Sequence, residues 1–106
     1  MTATGRIDPD DLDPVREFRA LPIGRHSPAL EAMLNILRGG PMAGRFCLVC
    51  LEPHERWALA KLSGARGEAP VIVQNRVYNS IEEAEWEVFK LRWEAETGMT
   101  LPEDRL

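Results

Sequence analysis

Apolar positions along the chain fall into runs of two different periods. Leu30, Met33, Leu34 and Leu37 recur at i, i+3, i+4 and i+7, which predicts a helix over 27–38 with one apolar face. Ser27 stands where a side-chain oxygen can cap free backbone N–H groups, and Pro28 where a missing N–H costs nothing. Gly39 and Gly40 are expected to end this helix by permitting positive φ, with Pro41 behind them. The period then shortens. Residues 45–52 (RFCLVCLE) read as a strand with Phe46, Leu48 and Cys50 on one face and Cys47, Val49 and Leu51 on the other. Both faces are apolar, so this strand is expected to be covered on both sides. Pro53, His54 and Glu55 make a turn, and 56–62 form a second strand with Trp57 and Leu59 on one face. Residues 63–67 (SGARG) form a flexible turn, and 70–74 a third strand carrying Val71, Ile72 and Val73. Connections this short favour antiparallel neighbours.

Ser80 followed three residues later by Glu83 is a capping box, opening a helix expected to run to about Glu96 and end at Gly98. This helix has two apolar faces. Ile81, Ala84, Val88, Leu91 and Ala95 cluster on one side; Trp86, Phe89 and Trp93 cluster nearly opposite, with charged flanks between. The aliphatic stripe suits packing on the sheet. The aromatic stripe needs a second cover, which is either the helix over 27–38 or another chain.

Before the first long helix, Pro9, Pro14 and Pro22 alternate with Asp8, Asp10, Asp11 and Asp13. Prolines at that density prevent a long helix and the acidic run favours solvation. A short helical turn at 15–19 fits, with Asp13 as N-cap and Pro14 first in the helix. The predicted organisation is an N-terminal arm, flexible by itself, over 1–23 and a single α+β domain over 24–106. That domain is a three-stranded antiparallel sheet packed by a long C-terminal helix, with a shorter helix preceding the sheet.

Composition narrows the function classes. The chain has 106 residues, enough for one core and little more. Its net charge of −4 is unevenly spread: residues 24–78 carry seven Lys/Arg against four Asp/Glu, and both flanks are acidic. A middle that is only modestly basic disfavours nucleic acid. No apolar run is long enough for a membrane span. Two cysteines without a visible secretory signal read as reduced thiols of a cytoplasmic protein.

Candidate chemistry is sparse. Cys47 and Cys50 have the spacing of half a zinc site, but a strand points them to opposite faces, and only His26 and His54 could join them. They are expected to be small buried residues. Glu52, His54 and Glu55 share a turn without a nucleophile nearby in sequence, and 63–67 lack the lysine and spacing of a phosphate loop. Arg25 and His26 place a cation and an imidazole just before a helix N-terminus. There they could meet an anion or a partner's carboxylate, or simply lie exposed beside the cap.

Two resemblances bear on function. Three strands followed by a helix opening Ser80-Ile-Glu-Glu-Ala84 resemble the plant AP2-type DNA-binding domain, in which case Arg45, Arg56, Trp57, Lys61 and Arg76 would face nucleic acid. The apolar first strand fits that poorly. A second series is longer: Arg25-His26-Ser27-Pro28-x-Leu30, Asn35, Arg38 and Pro41, then Gly44-Arg45-Phe46, Glu55-x-Trp57, Pro70-Val71, Tyr78, Glu82-Glu83-Ala84, Val88-Phe89 and Arg92. In order, these resemble the small (alpha) subunit of N,N-dimethylformamidase. The resemblance implies a non-catalytic small subunit that docks on and stabilises a larger amide-hydrolysing subunit. Iron would then reside in that partner, with no cofactor, metal ligand or catalytic residue in this chain. On this reading Trp86, Phe89, Trp93, Arg25 and His26 are the expected partner contacts, and a homo-oligomer burying the aromatic stripe against itself is the other arrangement.

Overall fold

The computed structural model describes residues 7–39 and 44–106. Its elements are α1 (Asp13–Ala20), α2 (Pro28–Arg38), β1 (Phe46–Glu52), β2 (Arg56–Lys61), β3 (Val71–Tyr78), α3 (Ile81–Thr97) and a short 3-10 turn, Glu103–Arg105. The three strands form one antiparallel sheet in the order β1-β2-β3. The fold is α+β as the period changes predict, with the C-terminal helix packing on the sheet. By its contacts the chain divides into two compact units. One comprises Met1–Gly40 with Phe89–Leu106, the other Pro41–Val88. The division falls within α3 and just after α2.

In the helical unit, α2 starts as its sequence requires. Ser27 is extended, its Oγ accepts from the Leu30 N–H at 3.2 Å, and Pro28 opens the first turn. Leu30, Met33, Leu34 and Leu37 are all buried. The helix ends differently from expectation: Gly39 is extended (φ −84°, ψ −174°), so no left-handed residue stops it there. Gly40 and Pro41 lie outside the described residues.

Of the segment read as an arm, residues 1–6 lie outside the described residues. Asp13–Ala20 is a helix that packs against α2. Its cap is Leu12, without a side-chain cap bond, so Asp13 lies one position inside the helix and pairs with Arg16 at 3.0 Å. Val15 and Phe18 are fully buried. Burying Phe18 contributes about 2 kcal/mol, and its ring stacks on Phe89 at 4.4 Å between centroids. The proline density that prevents a long helix leaves room for these two turns, whose apolar residues at i and i+3 make one buried face.

In the sheet unit, β2 is the central strand, and Ala58, Leu59 and Ala60 are buried. The strand with two apolar faces is instead an edge: among the described residues β1 pairs only with β2, and its residues are half-buried or exposed. Covered faces were expected there because alternation shows which residues share a face and not the order of strands. Consistent with this, Cys47 is half-buried and Cys50 exposed, against the expectation that both are buried. At the β1–β2 turn His54 takes φ 63°, and Glu52 pairs with Arg56 across it.

β3 runs four residues beyond its predicted end at Gln74. The predicted strand stops before the polar pair Asn75-Arg76, which lies in a bulge within the observed strand. The two-residue step from Ala58 to Ala60 on β2 faces the five-residue step from Val77 back to Ile72 on β3. Asn75 absorbs the distortion at φ 63°, a conformation asparagine tolerates better than most residues.

Candidate docking surface

α3 decides what surface remains for a partner, and its two stripes are used in turn. In its first half, within the sheet unit, Ala84 and Val88 of the aliphatic stripe are buried. In its second half, within the helical unit, Phe89 (2% exposed), Trp93 (0%) and Thr97 of the opposite side are buried, while Leu91 is half-buried and Ala95 exposed. At about 100° per residue the buried direction turns by roughly 180° between Ala84 and Trp93. At that burial Phe89 and Trp93 present no surface to a partner. Of the aromatic stripe only Trp86, half-buried, keeps exposed area.

The charged flank of the same helix is tied into the chain. Lys90 meets Glu103 at 3.4 Å, Glu94 accepts from the Leu101 N–H at 3.0 Å, and Glu87 lies 3.7 Å from Arg76. Gly98 at φ 72° ends the helix at the predicted position, its N–H bonded to the Glu94 carbonyl at 2.8 Å.

Arg25 is exposed and His26 half-buried. The His26 ring lies 5.7 Å from that of Phe18, and its Nε2–H donates to the Leu21 carbonyl at 3.1 Å. Beside it, His26, Glu31, Leu34, Asn35 and Arg38 line an open concavity of about 240 Å³. The residue that organises this corner, Glu17, gave no signal in the sequence. Its carboxylate accepts from the Ser27 N–H at 2.7 Å and the Ser27 hydroxyl at 2.5 Å. The Ser27 hydroxyl bond, then the Ser27 N–H, hold the Glu17 carboxyl below its ordinary value; partial desolvation opposes them and the nearby His26 assists. Capping rules look for an acid three residues after the cap. Glu17 is ten residues before it, brought there by the turn between α1 and α2.

Among the described residues no three His, Cys, Asp or Glu side chains gather as a metal site, and no helix is long and apolar enough to cross a membrane. The basic residues that a DNA-reading sheet would need are engaged within the chain. Arg56 pairs with Glu52, Arg76 lies near Glu87, and Lys61 Nζ stands 5.1 Å over the Phe46 ring.

Large apolar side chains do reach the surface, and they concentrate on the sheet: Leu51 on β1 and Val71, Ile72 and Val77 on β3. These features define a small α+β domain with open sheet edges and exposed apolar side chains along them. The model of the N,N-dimethylformamidase alpha subunit family matches residues 10–100, and the chain belongs to that family. No curated protein matches it.

Proposed function

We propose that this chain is the small, non-catalytic subunit of an N,N-dimethylformamidase-like amidohydrolase, working in the cytoplasm by docking on and stabilising a larger subunit. The family match over residues 10–100 carries this reading. Leu51, Val71, Ile72 and Val77, exposed on the sheet, offer apolar contact area to such a partner. On this reading amide hydrolysis and its iron belong to the larger subunit, and the small chain contributes contact surface. Arg25, His26 and the exposed part of Trp86 are its proposed contacts away from the sheet.

The test is co-expression of the chain with an N,N-dimethylformamidase-type large subunit, followed by size-exclusion chromatography, metal analysis and amidase assay with and without the small chain. Co-elution at fixed stoichiometry, with iron and activity following the large chain and greater thermal stability in the pair, is the expected result. A large subunit that neither binds the chain nor gains stability from it would refute the reading.

A further inference from the structure

We infer that the concavity beside α2 receives a carboxylate side chain of the larger subunit, held by Arg38 and Asn35; this rests on the subunit reading above. Glu31, Asn35 and Arg38 stand at i, i+4 and i+7, so one face of α2 carries all three, and all three are exposed. With His26 and the buried Leu34 they line an open concavity of about 240 Å³. Several charges of this helical unit are matched within the chain: Asp13 pairs with Arg16, Lys90 meets Glu103, and Glu17 and Glu94 accept from backbone N–H groups. Among the described residues the side chains of Glu31, Asn35 and Arg38 have no such partner.

The donors fix the chemistry of the occupant. A guanidinium presents paired N–H groups that match the two oxygens of a carboxylate, and the Asn35 amide, one turn back, offers a further N–H. His26 serves as wall, with its Nε2–H engaged by the Leu21 carbonyl. Glu31 is about 10 Å from Arg38 along the helix axis, too far to pair with it. Its charge repels a carboxylate from that end and directs it toward Arg38. The start of α2 is closed to a second acid, because the chain's own Glu17 carboxylate is seated on Ser27. Charge also argues for the partner. The chain carries a net charge of −4, so an acidic group of another protein is repelled over most of it. Arg38, and Arg25 beside His26, are exposed cations without a partner among the described residues, and there it is attracted. An open concavity holds a free acid weakly, since water screens a single exposed pair. The same group carried on a docked protein is presented at high effective concentration.

The experiment uses the co-expressed complex. Arg38→Gln removes the cation, Arg38→Lys keeps the charge without the fork, and Glu31→Gln removes the opposing acid. Both positions are exposed, so the thermal midpoint of the free chain should stay nearly unchanged. Affinity for the larger subunit is measured at low and raised salt. Arg38→Gln should weaken association by about tenfold and flatten its salt dependence; Arg38→Lys should fall between it and wild type. Glu31→Gln should tighten association by about twofold. Carbodiimide treatment of the Arg38→Lys complex should join the introduced amine to an Asp or Glu of the larger subunit, identified by peptide mass mapping. Arg38→Gln binding like wild type, or no such cross-link, would overturn the inference while leaving the subunit reading in place. Tighter binding by Arg38→Gln, or weaker binding by Glu31→Gln, would point to a cationic occupant and overturn the carboxylate. A cross-link to a second copy of this chain would overturn the choice of partner. A wild-type chain that binds no larger subunit overturns the subunit reading itself, and this inference with it.

Discussion

The Glu17 carboxylate grips Ser27 twice, accepting from its backbone N–H at 2.7 Å and its hydroxyl at 2.5 Å, while the same hydroxyl oxygen accepts from the Leu30 N–H. One acid near the end of α1 thereby fixes the cap of α2. Ser27→Ala should remove the cap and one arm of this grip and destabilise the chain by about 1 kcal/mol, read from urea unfolding. Unchanged stability would mean that the three bonds do not persist in solution.

The same contact sets an acid dependence. The folded Glu17 carboxyl lies below its ordinary value of 4.5. The stability it contributes is therefore complete above that value and is lost as the pH falls from it through the folded value. Glu17→Gln should lower stability at neutral pH and flatten the stability profile below pH 4.5. Parallel profiles for wild type and variant down through the acid range would count against this role.

Phe18 and Phe89 join the N-terminal segment to the second half of α3 through a stack at 4.4 Å. Alanine at either position should destabilise by about 3–5 kcal/mol. A double-mutant cycle should give a coupling of about 0.5–1.5 kcal/mol. Additive single effects would show that the rings are buried independently.

Trp86 and Trp93 stand seven residues apart on one helix, so they nearly share a direction, yet one is half-buried and the other fully buried. Trp93→Ala should destabilise the isolated chain by about 3–5 kcal/mol, and Trp86→Ala clearly less. Chemical denaturation of the two variants decides it, and equal losses would contradict the difference in burial.

Cys50 is exposed and Cys47 half-buried on an edge strand. With a thiol reagent under native conditions Cys50 should react first, and Cys47 more slowly until denaturant is added. Mass mapping of the first modified cysteine checks the order, and modification at Cys47 first would reverse the assignment.

Gly98 closes α3 at φ 72°, with open space where a Cβ would stand. Gly98→Ala should therefore cost about 1 kcal/mol through backbone strain and not through a clash. A neutral or stabilising change would mean that the helix end can relax out of the left-handed conformation.

Local periodicity and punctuation determined much of this protein. Leu30, Met33, Leu34 and Leu37 define α2, Ser27-Pro28 starts it, and Ser80 and Gly98 bracket α3, because these signals act within a few residues. The three strands and their antiparallel pairing follow from alternation and short connections. The ordered series from Arg25 to Arg92 placed the chain in its family. Other features depend on partners distant in sequence. Strand order made the apolar β1 an edge and left its cysteines uncovered. A bulge opposite Leu59 carried β3 through Asn75-Arg76. The chain reversal after α1 brought Glu17 to Ser27 and helped bury a helix within a segment that reads as an arm. The aromatic stripe shows most clearly where local pattern stops. Period alone states that Trp86, Phe89 and Trp93 share a side of a helix. Which of them is core depends on what stands opposite, and the buried side changes along α3 as it passes from the sheet unit to the helical unit.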